Sequence, residues 1–294
     1  MANLKKIFES GCLISLSASR WGNFRKIQSE LVSIPVANKE WASASKKLIS
    51  NEALKPINKQ YNKAKKKIES HSLPFPIRGV WFIPKELISE LDEYLTECKS
   101  EFNKEVEKLG EKWDELLQEA EENLDELYNP SQYPVDIRSR FNLEWRFFHF
   151  DIPSSKLGIL SRHQYEKEVQ KMIDTINEAE KMAIIALRTE MLDMLKHAVH
   201  KLSDGEAKRL HKSTIGRFHE FFRTFKNRNI FQDDELSEIV ELAEEIVGDI
   251  TIEDVKEDEH LKEEIAEYME VLHEELENSM IAKPKRSVKI RIRS

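Results

Sequence analysis

Two Glu-x-x-His pairs near the C-terminus, Glu257/His260 and Glu270/His273, carry the spacing by which ferritin-like carboxylate sites hold metal. That chemistry needs the pairs on different helices facing inward, with two further glutamates. Here they stand thirteen residues apart on what reads as a single helix, about 20 Å by the helical rise. They cannot share an ion, and a segment in which every third residue is Glu produces such matches by chance. His197 and His200, one turn apart, have the spacing of a transition-metal clip, and His211 and His219 follow. Beside Arg209, Lys212 and Arg217 they read instead as helix-surface histidines. No metal site is expected.

Lysines offer a different chemistry. Between Lys39 and Lys67 there are nine basic and two acidic residues, and the chain ends on the purely basic Lys283-Pro-Lys-Arg-Ser-Val-Lys-Ile-Arg-Ile-Arg. Such runs can track a phosphate backbone. The expected contacts to a protein partner or to nucleic acid are Lys59, Lys63, Lys66 and Lys67 on a helix and Lys285, Arg286, Lys289, Arg291 and Arg293 in the tail. Lys outnumbers Arg, aromatic residues are sparse in the run, with Tyr61 among its lysines, and no recognition motif accompanies it, so nucleic acid would be bound with little sequence preference. Internal neutralisation is the competing account. Pro84 to Tyr128 has sixteen acidic and five basic residues, and Gln232 to Ile281 has twenty and two; opposite blocks seek each other or a partner.

Other chemistries lack their residues. No Gly-rich loop runs into Gly-Lys-Ser/Thr, no cysteine pair has zinc spacing, and no Gly-x-Ser-x-Gly elbow occurs. No catalytic residue and no cofactor are expected. The sequence reads as a non-enzyme.

The elements that must position these residues are mainly helices. Among 294 residues, 34% are charged and 40% hydrophobic, with 8 Gly and 9 Pro, so helix breakers are scarce. No apolar run approaches the roughly 20 residues of a membrane span. Two cysteines, Cys12 and Cys98, suit a reducing cytoplasm. The stretch after Lys5 and Lys6 is interrupted by serines and lacks a cleavage site, so no signal peptide is expected.

Gly11 to Ala18 alternates as a strand. Leu54, Ile57, Tyr61, Ala64 and Ile68 form the stripe of a helix with Asn51 as N-cap and Pro56 near its start. Leu73 to Gly79 is a Pro-rich connector. From Pro84 to Tyr128 apolar residues keep a helical period, and Leu91, Phe102, Trp113 and Leu124 recur every eleven residues, which favours a straight helix of about 65 Å. Ser161 to Leu202 repeats the pattern, and the pair is expected to form a long antiparallel, coiled-coil-like hairpin. Phe141 to Phe147 alternates as a half-buried strand at its tip. Shorter helices are expected over Glu206–Lys226, Asp233–Val247 and Thr251–Met280, and Val288, Ile290 and Ile292 alternate in the tail. The fold expected is mainly α with flanking helices and a minor β component. It divides into an N-terminal strand and Lys-rich helix (1–80), the hairpin (81–203, with its aromatic module at 129–160), an acidic helical region (204–281) and the basic tail (282–294). Leu117, Ile184, Ile185 and Leu192 widen the apolar faces, which need cover from Ile239, Leu242, Ile246, Leu261, Ile265 and Leu272 or from a second copy of the chain.

Four stretches together carry a resemblance: Ile14-Ser-Leu-Ser-Ala-Ser-Arg-Trp-Gly-Asn-Phe-Arg-Lys, Lys47-Leu-Ile-Ser-Asn-Glu-Ala-Leu-Lys-Pro-Ile-Asn, Arg78-Gly-Val-Trp-Phe-Ile-Pro and Tyr133-Pro-Val-Asp-Ile-Arg-Ser-Arg-Phe. Their order and spacing over about residues 10 to 250 resemble the domain-of-unknown-function family thirty-one fifty of bacteria and phages. The resemblance supplies no catalytic residue. It implies genes beside MoxR-type AAA+ ATPases and von Willebrand A-domain proteins, hence a cytoplasmic third component of an ATPase-driven remodelling system, acting as adaptor, substrate or scaffold.

Overall fold

The computed structural model describes residues 9–27, 43–149, 161–203, 212–247 and 259–281. They are mostly helical, with six short strands. In chain order these are β1 (Gly11–Ser19), β2 (Phe24–Lys26), β3 (Ser45–Lys47), α1 (Asn51–His71), β4 (Leu73–Pro74), β5 (Val80–Pro84), α2 (Ile88–Glu111), α3 (Trp113–Leu124), β6 (Asn142–Phe148), α4 (Arg162–Ser203), α5 (Lys212–Arg228), α6 (Asp234–Val247) and α7 (Glu259–Ile281). One sheet has the order β4-β5-β1-β6, and a second pairs β2 with β3. The chain forms two compact units, one of residues 1–14, 68–89 and 147–294, the other of residues 15–67 and 90–146.

In the first unit, β4 and β5 pair antiparallel, with Leu73 opposite Phe82 and Pro74 opposite Trp81. Gly79 turns the chain between them at φ 76°, a conformation that a side chain disfavours. Gly11 on β1 is fixed for a different reason: a Cβ there would lie 2.1 Å from the Ile83 carbonyl and 2.7 Å from the Phe82 ring. The core is the stripe of α4, from Ile176 and Ala183 through Leu187, Met191 and Leu195 to Leu202. Phe218, Phe221 and Phe225 of α5, Ile239 and Ala243 of α6, and Ile265, Met269, Leu272 and Leu276 of α7 close over it. Packed on α4 most extensively is α7.

The second unit is built on α2 and α3. Leu91, Leu95, Cys98, Phe102, Val106, Leu109 and Trp113 are buried along them, and Leu54, Ile57 and Ala64 of α1, Ile137 and Leu143 are buried in the same unit. The eleven-residue series holds through Leu91, Phe102 and Trp113, yet the helix is not continuous. It breaks at Lys112 (φ −95°, ψ 6°). Two residues earlier, Gly110 leaves room for the Arg138 guanidinium, whose atoms lie 2.2–2.7 Å from where a Cβ would be. Glu107 accepts from Arg138 Nε there at 2.7 Å.

The expected hairpin is not confirmed. Helices α2 and α3 belong to the second unit and α4 to the first, and α4 finds its long partner in α7. A stripe states that a helix needs cover; it does not name the cover. Strands at Ile14 and after Phe141 are present, whereas β2, β3, β4 and β5 had no alternation to announce them. Helix α6 lies where the sequence places it; α5 and α7 occupy the later parts of their expected spans, and residues 206–211 and 251–258 lie outside the described residues. The strand expected around Ile290 lies outside them. No helix of the described residues is long and apolar enough to cross a membrane.

Candidate functional site

The Lys-rich helix α1 is anchored by one side chain. Asn23, buried before β2, donates from Nδ2 to the Ile49 carbonyl and to Asn51 Oδ1 (both 2.8 Å) and accepts from the Ile49 N–H at 2.9 Å. Its backbone carbonyl accepts from Leu48 N at 2.9 Å, extending the β2–β3 register of Phe24 opposite Lys47. This ties the Arg20-Trp-Gly-Asn turn to the first turn of α1. On α1, Leu54, Ile57 and Ala64 are buried, so the opposite face is turned outward.

That face carries Lys55, Asn58, Lys59, Asn62, Lys63 and Lys66, which together line an open depression. Their spacing follows the helical repeat, so the four ammonium groups span about 16 Å of axis. Arg20 extends the patch: its guanidinium donates to Asn58 Oδ1 at 3.1 Å and lies 4.0 Å above the Tyr61 ring. Lys55 pairs with Glu52 at 2.6 Å, but both side chains are largely exposed, so the pair is weak. Among the described residues, no carboxylate pairs with Lys59, Lys63 or Lys66. The arrangement is a row of solvated cations able to neutralise phosphates or carboxylates.

Lys67 departs from the expectation. One position further round the helix, its ammonium pairs with Glu90 at 3.1 Å and lies 5.2 Å from the Tyr94 ring centre. It is a structural contact, not part of the exposed row. Lys285, Arg286, Lys289, Arg291 and Arg293 lie outside the described residues. So do Glu257 and His211. His197 sits on α4, where burial, then Lys201, Arg217 and His200, push its imidazole below the ordinary histidine pKa.

A second feature of the same unit was not assigned from sequence. Trp21, Arg25, Gln132, Tyr133, Pro134 and Arg140, with Ser131, line a recess of about 460 Å³. Its wall is an aromatic cluster in which Trp21 meets Trp113 edge-on at 5.5 Å and Tyr133 at 6.2 Å. Tyr133 is fixed by donating to the Leu48 carbonyl at 2.9 Å, and Trp113 Nε1 donates to the Pro134 carbonyl at 3.1 Å. Trp21 and Tyr133 are far apart in sequence. The available signal was that each belongs to one of the four stretches carrying the family resemblance.

The unit-one recess under β1 is different in kind. Leu13, Phe75, Phe82, Ile176, Ala179 and Ala183 are among its lining, and its volume of about 20 Å³ holds at most a water. It is a packing gap.

The family model described as "Protein of unknown function (DUF3150)" matches residues 8–214. No curated protein and no solved structure matches the chain. The matched span contains both the cationic row and the aromatic recess, and the chain belongs to the DUF3150 family of proteins of unknown function.

Proposed function

We propose that the protein is a non-enzymatic helical adaptor of a bacterium or phage, working with a MoxR-type AAA+ ATPase and a von Willebrand A-domain protein in the cytoplasm. The observation that supports a protein partner is on α7. Its buried edge is Ile265, Met269, Leu272 and Leu276, while Tyr268 (51% exposed) and Val271 (60%) stand on the other side. Around them the exposed Glu264, Glu267, Glu274 and Glu275 continue the same outward face. Two large apolar groups one turn apart within a carboxylate field suit a partner that offers basic residues around an apolar pocket.

The test mixes the full-length protein with the purified MoxR-type ATPase of the same genome and measures binding by calorimetry. A complex weakened at least tenfold by Val271→Glu or Tyr268→Lys supports the reading. No complex at tens of micromolar, or one indifferent to both substitutions, overturns it.

A second reading is favoured by the row Lys59, Lys63 and Lys66, cations without carboxylate partners among the described residues: α1 binds nucleic acid without sequence preference. Four or so neutralised phosphates give a slope of log K against log salt of about −3 for single strands. Each Lys→Gln change in the row should reduce that slope by about 0.7. Binding that is flat in salt would exclude it.

A further inference from the structure

We propose that the recess of the second unit binds a nucleoside 5′-phosphate, with the phosphate between Arg25 and Arg140 and the base against Trp21. Four features converge on this ligand class. The first is size: about 460 Å³ falls within the range of small-molecule sites, in an open recess lined by buried Tyr133, by half-buried Trp21, Arg25, Gln132 and Pro134, and by exposed Ser131 and Arg140.

The second is charge. Arg25 and Arg140 reach the recess from β2 and from the turn before β6, and among the described residues neither pairs with a carboxylate. Arg25 Nη1 is held by the Gly22 and Phe24 carbonyls at 2.8 and 2.9 Å, which orients the guanidinium and leaves its remaining N–H groups for an anion. The contrast with Arg138, two residues before Arg140, is informative. Arg138 is neutralised by Glu107 at 2.7 Å and Asp136 at 3.5 Å. The same turn thus presents one satisfied arginine and one with its charge uncompensated. Two guanidinium groups converging on one space match a phosphate, whose oxygens accept several charge-assisted hydrogen bonds.

The third is the aromatic wall. Trp21 and Tyr133 supply π-surface beside the cations, and base stacking on such a surface contributes to affinity without demanding one base. The fourth is a stranded acceptor beside the recess: Gln132 lines it, its side-chain oxygen is buried with no hydrogen-bond donor among the described residues, and rotation of that amide would present it to a ribose hydroxyl or an exocyclic amine. A plain anion would leave the aromatic wall and this acceptor unused. An apolar ligand would leave both arginines facing nothing.

The same chemistry belongs to a free nucleotide and to the 5′-phosphorylated end of a strand. Calorimetry on the full-length protein with adenosine 5′-monophosphate, adenosine, inorganic phosphate, and a decanucleotide with and without its 5′-phosphate separates them. Saturable binding of the monophosphate, with adenosine and inorganic phosphate each at least tenfold weaker, is expected. Arg140→Gln, at an exposed position, should weaken it at least tenfold, and Arg25→Gln likewise, whereas Arg138→Gln and Lys66→Gln should leave it within about twofold. A preference of the decanucleotide for its 5′-phosphate, abolished by Arg140→Gln, would identify a strand end as the source; a decanucleotide indifferent to its 5′-phosphate would identify the free nucleotide. No saturable heat with the monophosphate up to about 5 mM, or binding unchanged by both arginine variants, overturns the proposal. Binding lost on Lys66→Gln but kept in Arg140→Gln would place the anion on α1 and overturn it as well.

Discussion

Asn23 makes three side-chain hydrogen bonds to Ile49 and Asn51 while buried. Replacing it by Ala strands the Ile49 N–H and C=O without water, and an orphaned buried polar group costs roughly 1–3 kcal/mol. Asn23→Ala should therefore lower stability by about 2 kcal/mol in denaturant titration, while Asn58→Ala, on the exposed face of α1, should change it by less than about 0.5. Tyr133 adds a pH signature at the same scale. Burial, helped by Tyr128, pushes its phenol up to about 12. The unfolded chain releases that proton near pH 10 and the folded chain later, so this contribution is intact below pH 10 and is lost between pH 10 and about 12. Thermal midpoints followed across that window should fall, and Tyr133→Phe should flatten the fall; an unchanged alkaline limb in the variant would show that the phenol is not its source. These residues were visible in the sequence only as parts of short motifs. Asn and Tyr types do not announce which backbone groups they satisfy, because their partners Ile49 and Leu48 are defined by the fold.

Helices with one-sided stripes were legible element by element, since burial of Leu54, Ile57 and Ala64, or of Leu236, Ile239 and Ala243, follows the 3.6-residue repeat. The break at Lys112 was not, because the eleven-residue series continues through it. Three-residue strands such as Ser45–Lys47 leave no alternation to detect. Pairing between elements was equally hidden, and it depends on a few polar groups. Arg188 of α4 donates to Asp233 through Nε (2.6 Å) and Nη2 (2.7 Å), to Glu235 at 2.9 Å and to Ser279 of α7 at 2.8 Å. Asp233 in turn accepts from the Leu236 N–H at the start of α6. Asp233→Ala removes a cap and leaves a largely buried guanidinium with only rim partners, which should cost about 3 kcal/mol. Gln232, just before it, sits at φ 56°, so Gln232→Gly should stabilise by up to about 1 kcal/mol. Chemical denaturation that found Asp233→Ala neutral would remove Arg188 as the tie among α4, α6 and α7.

At the scale of the whole molecule, the family match and the folded units do not share a boundary. The match ends at residue 214, whereas the first unit runs to residue 294 and uses later residues to cover α4: Phe218, Phe221, Phe225, Ile239, Ala243, Ile265, Met269, Leu272 and Leu276. Composition showed the acidic helices to be a separate block in charge; it did not show that their apolar edges complete a core begun on α4. A chain ending at residue 214 would strip that cover from the stripe between Ile176 and Leu202, keeping Leu13, Leu73, Phe75 and Phe82 as its neighbours in the core. Each fully buried Leu, Ile, Met or Phe contributes roughly 1.5–3 kcal/mol, more in sum than a typical domain's entire net stability. The truncated chain should therefore lose the helicity of α4 or associate through it, seen as a circular-dichroism loss larger than the deleted helices account for or as a mass above monomer in light scattering. The second unit contains no residue beyond 146, so its Trp21–Trp113–Tyr133 cluster and the Arg25–Arg140 recess should persist. Nucleotide binding retained by the truncated chain, alongside a collapsed or associated α4, would locate binding in the matched part and completion of the core in the rest. A truncated chain that stayed monomeric with α4 fully helical would show that α5, α6 and α7 are not needed to cover it.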